Sequence, residues 1–507
     1  MRLRLMVIVL LLAIAPAEAV HTVWWFIPAD TASVGKWMEV IQQEGGVIRF
    51  RSSWMPVFSA VLDEKKAILL ASEELSIVPV QHLHEASLTG AAPSSYSKAL
   101  EQMQGKAFVR AGLSGIGVKI GITDAGFLFL NDSSQFYGLH HLWSGHQIKA
   151  IKDYCAGSDT IAYDECYYTG KSKPMRKRKN GFARMMYEFR IANHRHGSDV
   201  LNAIAGYNDK TGVRSGLAPD AEFYLTRTDF GYTEHIDEED YYIRALEWLA
   251  AKGVRLVNTS LGYTRGRKVK SQNYSPYQMN GTSMLARAVE IAVKEKNILV
   301  VAAAGNEALK STWRVIATPG DAPSALTVGA YDFGYLKADY SSYGPDYNTY
   351  LKPEVAAFSQ SGTSFSAPAV CGFAACLLEV KPELTAIELK KIILRSCILY
   401  PYGNNYVGYG VPLATRALAL LANPDTVFQS TTELEVTGNE FQFSDPGQLI
   451  PYLTVYHKYN KTQVMGQNLV YHEKNKPGVI MVKRPQGCKY STIQAGYKII
   501  EIVWKDE

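Results

Sequence analysis

Between residues 118 and 328, short strand-like runs alternate with stretches of helical spacing, and this constrains the fold more than any other feature of the chain. The runs 118–122, 222–225, 255–259, 298–304 and 325–328 read as strands. The stretch 238–252 sets Tyr242, Ala245, Leu246, Leu249 and Ala250 at helical spacing, and 283–296 reads as a further helix. A strand such as 298–304, apolar over its whole length, has no face to give to water. It belongs in a parallel sheet covered by helices on both sides. The expected class is α/β, a three-layer α/β/α arrangement with a mainly parallel sheet and right-handed crossovers.

The flanks differ in character. Arg2 and Arg4, the apolar run 5–15 and the small-x-small sequence Ala17-Glu18-Ala19 predict a secretory signal peptide over 1–19. That run is too short to span a bilayer, and no later stretch reaches eighteen apolar residues, so no membrane span is expected once the signal is removed. Residues 20–104 read as a small α+β unit with a strand at 23–27, a helix at 34–44 and strands within 47–62. The unit ends in a polar connector, 92–104, that suits either a processing loop or a plain linker. Residues 423–507 alternate in 449–456 and 497–504 and break at Asp445-Pro446-Gly447 and Lys476-Pro477-Gly478, which predicts a small all-β module. The boundaries 1–19, 20–104, 105–422 and 423–507 follow.

A net charge of +5 on 507 residues gives no reason to expect a nucleic-acid partner. The one basic run, 171–179, is of the kind that is mostly a solvated loop, with a processing or partner site as the other reading. Cys155 and Cys166 flank a polar stretch, where a local disulfide and two free thiols are both open readings. Cys371 and Cys376 lie in an apolar helix-like run and are expected as buried thiols. No His/Cys spacing suggests zinc.

Three motifs fall at the boundaries of the predicted elements: Gly121-Ile122-Thr123-Asp124-Ala125-Gly126, His196-Gly197-Ser198-Asp199-Val200 and Ser361-Gly362-Thr363-Ser364-Phe365-Ser366-Ala367-Pro368. A serine hydroxyl is a weak nucleophile at neutral pH and needs a neighbouring base. Imidazole titrates in the right range for that task, and a carboxylate holds its tautomer and stabilises the imidazolium. Asp124 is expected at the C-terminal end of a buried strand, where open α/β sheets carry their sites. His196 is expected to open a helix, and Ser364 to sit at a helix N-terminus, where positive dipole charge gathers. Any one of these residues alone is more often structural. The longer serine motif is far more specific than Gly281-Thr282-Ser283-Met284, which lacks the Ala-Pro.

In the order Asp, His, Ser, the three motifs resemble those of the subtilisin-type serine proteases, the subtilases, over residues 111–422. Asp-Ala-Gly-Phe at 124–127 is closest to the secreted subtilases associated with Bacteroidota-type bacteria. The resemblance implies a secreted serine endopeptidase acting on proteins or peptides through an acyl-enzyme. It gives Asp124, His196 and Ser364 catalytic roles and makes Asn306, at the end of the 298–304 strand, an oxyanion donor. Ser260, Leu261 and Gly262, with Ala303, Ala304 and Gly305, become the walls of the substrate site. Residues 20–104 become a propeptide that is cleaved off by self-processing. No cofactor is required; many subtilases bind structural calcium, but no loop here is dense enough in Asp to name ligands, and the oligomeric state stays unknown. The chain departs from the family in a long insertion between Asp124 and His196 and in a shortened connection before the serine motif. The second departure fits an alternative, a catalytically impaired scaffold that binds surface glycans or proteins.

Overall fold

The computed structural model describes residues 21–80, 93–128, 130, 137–160, 181–231, 237–264, 273–473 and 478–506. The expected signal peptide, residues 81–92 (the last being the first residue of the connector), Cys166 and the basic run lie outside the described residues. The chain divides into two compact units at Val80/Gln81.

The first unit is α+β, as expected. Strands β1 (His21–Pro28), β2 (Val47–Arg51), β3 (Phe58–Asp63) and β4 (Leu75–Pro79) form an antiparallel sheet in the order β2-β3-β1-β4. Helices α1 (Val34–Gln43) and α2 (Glu64–Leu70) complete it. Asp63 caps α2 by accepting the N–H groups of Lys65 and Lys66, which satisfies two of the amides a helix start leaves unpaired. The core gathers Trp24, Phe26, Ile41, Phe58 and Leu62, with the Phe26 and Phe58 rings stacked 5.1 Å apart.

The second unit begins with α3 (Pro93–Gln102) and α4 (Lys106–Arg110). Residues 93–102, which the sequence suggests as polar connector, are therefore helical, and Tyr96, Ala99 and Met103 are buried. Next come β5 (Lys119–Asp124), α5 (His140–Ser144), β6 (Ile148–Asp153), α6 (Gly181–Ala205) and a short hairpin of β7 (Tyr207–Asn208) and β8 (Val213–Arg214). The unit continues with β9 (Glu222–Arg227), α7 (Glu238–Ala251), β10 (Leu256–Thr259), α8 (Met284–Lys294), β11 (Leu299–Ala303), β12 (Leu326–Tyr331) and β13 (Val355–Phe358). Helices α9 (Thr363–Val380), α10 (Ala386–Ser396) and α11 (Ala414–Ala422) close this part.

Seven of these strands form one parallel sheet in the order β13-β12-β11-β10-β5-β9-β6. Helices α6 and α9 pack together on one side; α7, α8 and α10 cover the other, Leu249 of α7 pressing on β5 at Gly121. The three-layer α/β architecture is the expected one. The chain leaves β5 toward β6 and β9, then resumes beyond β5 with β10 and moves outward in the other direction. The reversal makes β5/β10 the topological switch point, the place where such sheets open a crevice at their carboxyl ends. Helix α9 has the length and apolarity of a membrane span, yet it is almost wholly buried as the core helix.

One expectation fails. His196 does not open a helix: α6 starts fifteen residues earlier, at Gly181. The sequence Gly181 to Arg195 contains no proline, so nothing in it stops the helical spacing from running back into the insertion.

The C-terminal strands are β14 (Thr431–Thr437), β15 (Glu440–Ser444), β16 (Tyr452–Lys458), β17 (Val464–Tyr471), β18 (Val479–Lys483), β19 (Tyr490–Ala495) and β20 (Lys498–Lys505). They form a five-stranded sheet, β14-β20-β19-β16-β17, and a β15-β18 pair around a core that includes Leu453, Val455, Ile480, Ile493, Ile502 and Trp504. This is the all-β module expected from the alternating pattern.

Candidate active site

Asp124 is the last residue of β5 and is fully buried. One of its carboxylate oxygens, Oδ1, accepts the Ala125 N–H at 2.8 Å and also lies 2.8 Å from His196 Nδ1. Two glycines make this meeting of strand end and helix α6 feasible. The Gly197 N–H donates to the Gly126 carbonyl at 2.8 Å, and a Cβ on Gly197 would lie 2.4 Å from that same oxygen. A Cβ on Gly126 would lie 2.7 Å from the His194 carbonyl, which already accepts the Leu128 N–H at 2.7 Å. The Ser198 hydroxyl completes the stitch by donating to the Leu128 carbonyl at 2.9 Å. The glycines of the Asp and His motifs are thus requirements of backbone contact. His194, the neighbouring histidine, contributes its carbonyl to this seam.

His196 is buried, and its Nε2 makes no hydrogen bond among the described residues. Burial works to lower its pKa; the charge and hydrogen bond of Asp124, with the charges of Asp199 and Asp229 behind it, outweigh burial and raise it above the ordinary value. Asp229 is itself a buried carboxyl, pushed up to about 6 mainly by burial, although the Gly231 N–H donates to it at 2.6 Å. Three acids thus face one imidazole. The field favours the imidazolium, the form a general base reaches after taking a proton.

Ser364 lies in the first turn of α9, after Gly362 at φ 147° and ψ 148°, a backbone region open to glycine. The Ser364 hydroxyl donates to the Ser260 carbonyl at 3.3 Å, while the Ser260 hydroxyl donates to the Ser364 carbonyl at 2.9 Å. This reciprocal pair ties the serine to the end of β10, the strand next to Asp124's strand. In this geometry the Ser364 proton is directed at Ser260 and not at the imidazole. Phe365, the next residue, sets its ring 5.5 Å from that of His196. Behind it the buried Tyr96 of α3 packs edge-on to Phe365 at 6.3 Å, and its hydroxyl donates to the Asp199 carbonyl at 3.4 Å.

Asn306 follows β11 across Ala304 and Gly305. Its Oδ1 accepts the Thr363 N–H at 2.9 Å and the Thr363 hydroxyl at 3.1 Å. The Thr363 oxygen in turn accepts the Gly305 N–H at 3.0 Å. Anchoring the carbonyl end of the amide leaves Nδ2 as its outward donor. A Cβ on Gly362 would approach that nitrogen to 3.3 Å, a second reason for glycine there. The shortened connection from β13 to α9 spans 359–362, and the Ser359 hydroxyl closes it by donating to the Gly362 carbonyl at 2.7 Å.

The segments expected as facing walls run side by side. Ser260, Leu261 and Gly262 continue β10, and Ala303 ends β11, its parallel neighbour, with Ala304 and Gly305 following. Residues 317–318 bridge them: the Ala317 N–H donates to the Ala304 carbonyl, and the Tyr263 N–H to the Thr318 carbonyl. The Ala317 methyl lies between Gly262 and Gly305, where added Cβ atoms would come within 3.0 and 3.7 Å of it. Thr363, Phe365, Tyr96, Asp229 and Ala317 are contributors that the sequence reading did not single out. For Thr363 and Phe365, which lie within the serine motif, the motif carried a signal; for the others the sequence carries none. Ser283, of the shorter Gly-Thr-Ser sequence, caps α8 by accepting the Ala286 N–H at 3.0 Å. Cys371 and Cys376 are buried free thiols. Cys155 is a half-buried free thiol, and its expected partner Cys166 lies outside the described residues. Among the described residues no group of three His, Cys, Asp or Glu side chains is arranged to hold a metal ion.

The sequence model of the peptidase S8 subtilase family matches residues 115–410. Subtilisin NAT of Bacillus subtilis subsp. natto is 25% identical over 393 residues, covering 75% of this chain and 85% of its own. Subtilisin DY of Bacillus licheniformis is 30% identical over 209 residues, 38% of this chain and 67% of its own. Among solved structures, fervidolysin of Fervidobacterium pennivorans, a keratinolytic enzyme related to subtilisin, superposes with a TM-score of 0.55 at 17% identity. That match covers 94% of this chain and 71% of fervidolysin. The epidermin leader peptide processing protease of Staphylococcus aureus superposes with a TM-score of 0.52 at 15% identity, over 80% of this chain and all of that one.

Proposed function

Because the chain belongs to the subtilase family and is a serine-type endopeptidase, we propose that Asp124, His196 and Ser364 are its proton relay and that Asn306 and the Ser364 N–H hold the oxyanion. The observation that carries this reading is the 2.8 Å contact between His196 Nδ1 and Asp124, which fixes the imidazole with Nε2 left to act. A turn of the Ser364 side chain away from the Ser260 carbonyl closes the relay; catalytic hydrogen bonds are commonly loose before substrate arrives. His196 then removes the Ser364 proton as Oγ attacks the peptide carbonyl. The developing negative charge on that oxygen is met by Asn306 Nδ2 and the first-turn amide of α9. Collapse of the intermediate returns the proton from His196 to the leaving amine, and water releases the acyl-enzyme by the reverse proton path. The relay needs no cofactor. An extended peptide lies along 260–262 and 303–305, pairing through its backbone.

The enzyme is secreted through residues 1–19 and made as a precursor whose N-terminal unit is removed by its own active site. The Bacteroidota-type grouping rests on the Asp-Ala-Gly-Phe motif at 124–127 together with the runs 216–221 and Gly344-Pro345. A fluorophosphonate probe tests the catalytic reading: it labels Ser364 in the folded wild type and leaves Ser364→Ala unlabelled. Mass spectrometry of the same two proteins reports self-processing, expected in the first and absent in the second. No labelling of a folded wild type refutes the relay and favours the non-catalytic scaffold.

A further inference from the structure

The turn at residues 338–342 touches both sides of the proposed oxyanion site. The Ser342 N–H donates to the Gly305 carbonyl at 2.9 Å, and the Ser342 hydroxyl accepts the Glu307 N–H at 3.0 Å, so one residue grips the chain before and after Asn306. The Ala308 N–H donates to the Tyr340 carbonyl at 3.1 Å. The Tyr340 hydroxyl donates to the Ser359 carbonyl at 2.7 Å, and Ser359 holds Gly362, two residues before Ser364. The placement of Asn306 and of the Ser364 amide therefore both depend on this turn.

The turn itself is knotted by a buried ammonium. Lys337, 7% exposed, directs Nζ at the carbonyls of Ala338 (2.9 Å), Asp339 (3.2 Å) and Ser341 (3.1 Å), beneath the Tyr406 ring at 5.5 Å. An ammonium has three protons and no acceptor, so three converging carbonyls use its full capacity. The backbone of Lys337 is held from outside the catalytic sheet. Its N–H donates to Gln467 Oε1 at 2.9 Å, and Gln467 Nε2 donates back to its carbonyl at 3.0 Å. Gln467 belongs to β17 of the C-terminal module. The module also fixes the start of the same loop, where the Thr454 hydroxyl donates to the Gly334 carbonyl at 2.7 Å and the Tyr456 hydroxyl donates to the Tyr335 carbonyl.

We infer that the C-terminal β-module is a positioning element for the oxyanion site and that it acts through Lys337, whose ammonium sets the turn that brackets Asn306. Lys337 touches no substrate; it fixes where two donors stand. The inference rests on the proposed role of Asn306. Preorganised donors lose their value quickly when they can drift, because stabilisation of the transition state depends on their being fixed before charge develops.

The test uses the full chain with Lys337→Met, Gln467→Ala, the two combined, and Asn306→Ala, measuring kcat per site titrated with a fluorophosphonate. Lys337→Met is expected to lower kcat per titrated site by about tenfold and Gln467→Ala by about threefold, less than the roughly 10²–10³ that follows loss of a donor in subtilisin. KM stays within about twofold, inhibition by a peptide aldehyde weakens in parallel with kcat, and the combined variant is no worse than Lys337→Met, since both changes cut one path. A purely structural role would reduce the number of titratable sites and leave kcat per site unchanged; that result overturns the inference. If Lys337→Met does not fold, Gln467→Ala decides alone. A large loss in Asn306→Ala with wild-type kcat in Gln467→Ala sinks the inference and spares the oxyanion reading. Wild-type kcat in Asn306→Ala sinks the oxyanion reading itself.

Discussion

Replacing Thr363 by valine removes one hydroxyl and keeps the volume, which makes it a sharp probe of how the amide of Asn306 is aimed. The Thr363 oxygen does two things: it donates to Asn306 Oδ1 at 3.1 Å and accepts the Gly305 N–H at 3.0 Å. Valine abolishes both. Leaving the buried Gly305 N–H without a partner costs about 1–3 kcal/mol, and the lost hydroxyl bond adds about 0.5–1.5 kcal/mol. The expected destabilisation is therefore about 1.5–4.5 kcal/mol. In a unit of this size that lowers Tm by a few degrees, measured in a Ser364→Ala background so that self-cleavage does not interfere. The catalytic effect is separate. Asn306 keeps the Thr363 N–H at 2.9 Å, so its amide is loosened but not released. About 1.4 kcal/mol of transition-state stabilisation is lost, seen as roughly tenfold lower kcat per titrated site with KM unchanged. Thr363→Ser keeps the hydroxyl and retains most of the wild-type rate. A valine variant with wild-type kcat and Tm would show that the orientation of Asn306 does not depend on Thr363.

Three further outcomes follow from the same geometry. His196 works as a base only when neutral, and its net raised pKa keeps it protonated to higher pH, so kcat/KM rises with pH through a midpoint above 6.5. In Asp124→Asn the opposing charge is gone, burial dominates, and the midpoint falls while kcat drops by about 10⁴; a pH–rate profile with an unmoved midpoint contradicts this account. Gly197→Ala would set a methyl 2.4 Å from the Gly126 carbonyl, forcing the Asp124 turn off helix α6. Fluorophosphonate labelling is expected to slow by at least about tenfold, and labelling at the wild-type rate argues against the seam. Tyr96→Ala removes a buried ring from behind Phe365 and destabilises the catalytic unit by about 3–5 kcal/mol, whereas Tyr96→Phe, losing one 3.4 Å hydrogen bond, costs under about 1 kcal/mol; melting curves of the two variants decide.

The sheet was legible because its strands bury both faces. The runs at 118–122, 222–225, 255–259, 298–304 and 325–328 became β5, β9, β10, β11 and β12 with no end moved by more than three residues. The helix predicted at 238–252 is α7, and the alternating C-terminal pattern became the β-module. Where the reading fell short, the deciding contacts are distant in the chain. Nothing local in Pro93-Ser94-Ser95-Tyr96 announces a helix whose tyrosine backs the residue after the nucleophile 269 positions later. Helix α6 was expected to open at His196 because its first turns, 181–195, carry no motif. The hydroxyl of Ser364 is directed at Ser260 by the way β10 ends, a rotamer choice that no spacing encodes. Lys337 and Gln467, 130 positions apart, meet only through the docking of the C-terminal module.

The motif residues that were legible divide into two kinds, and only one kind carries chemistry. In the proposed mechanism Asp124, His196, Ser364 and Asn306 bring the reacting groups. Gly126 and Gly197 bring the backbones of β5 and α6 closer than any Cβ permits, and Gly362, at φ 147°, turns the serine motif where a Cβ would come to 3.3 Å from the Asn306 side chain. A motif made only of reactive side chains would be weak, since Asp, His and Ser are common. The glycines are informative because each answers a steric demand at one particular seam. The proposed relay thus rests on two short backbone junctions that leave no room for a methyl group and on a third turn whose positive φ favours glycine. Beyond these junctions the fold adds hydrogen-bonded braces, Thr363 on one side of Asn306 and the 338–342 turn on the other. The first brace lies within the serine motif; the second leaves no motif, because an ammonium can be held by any carbonyl that the packing happens to supply.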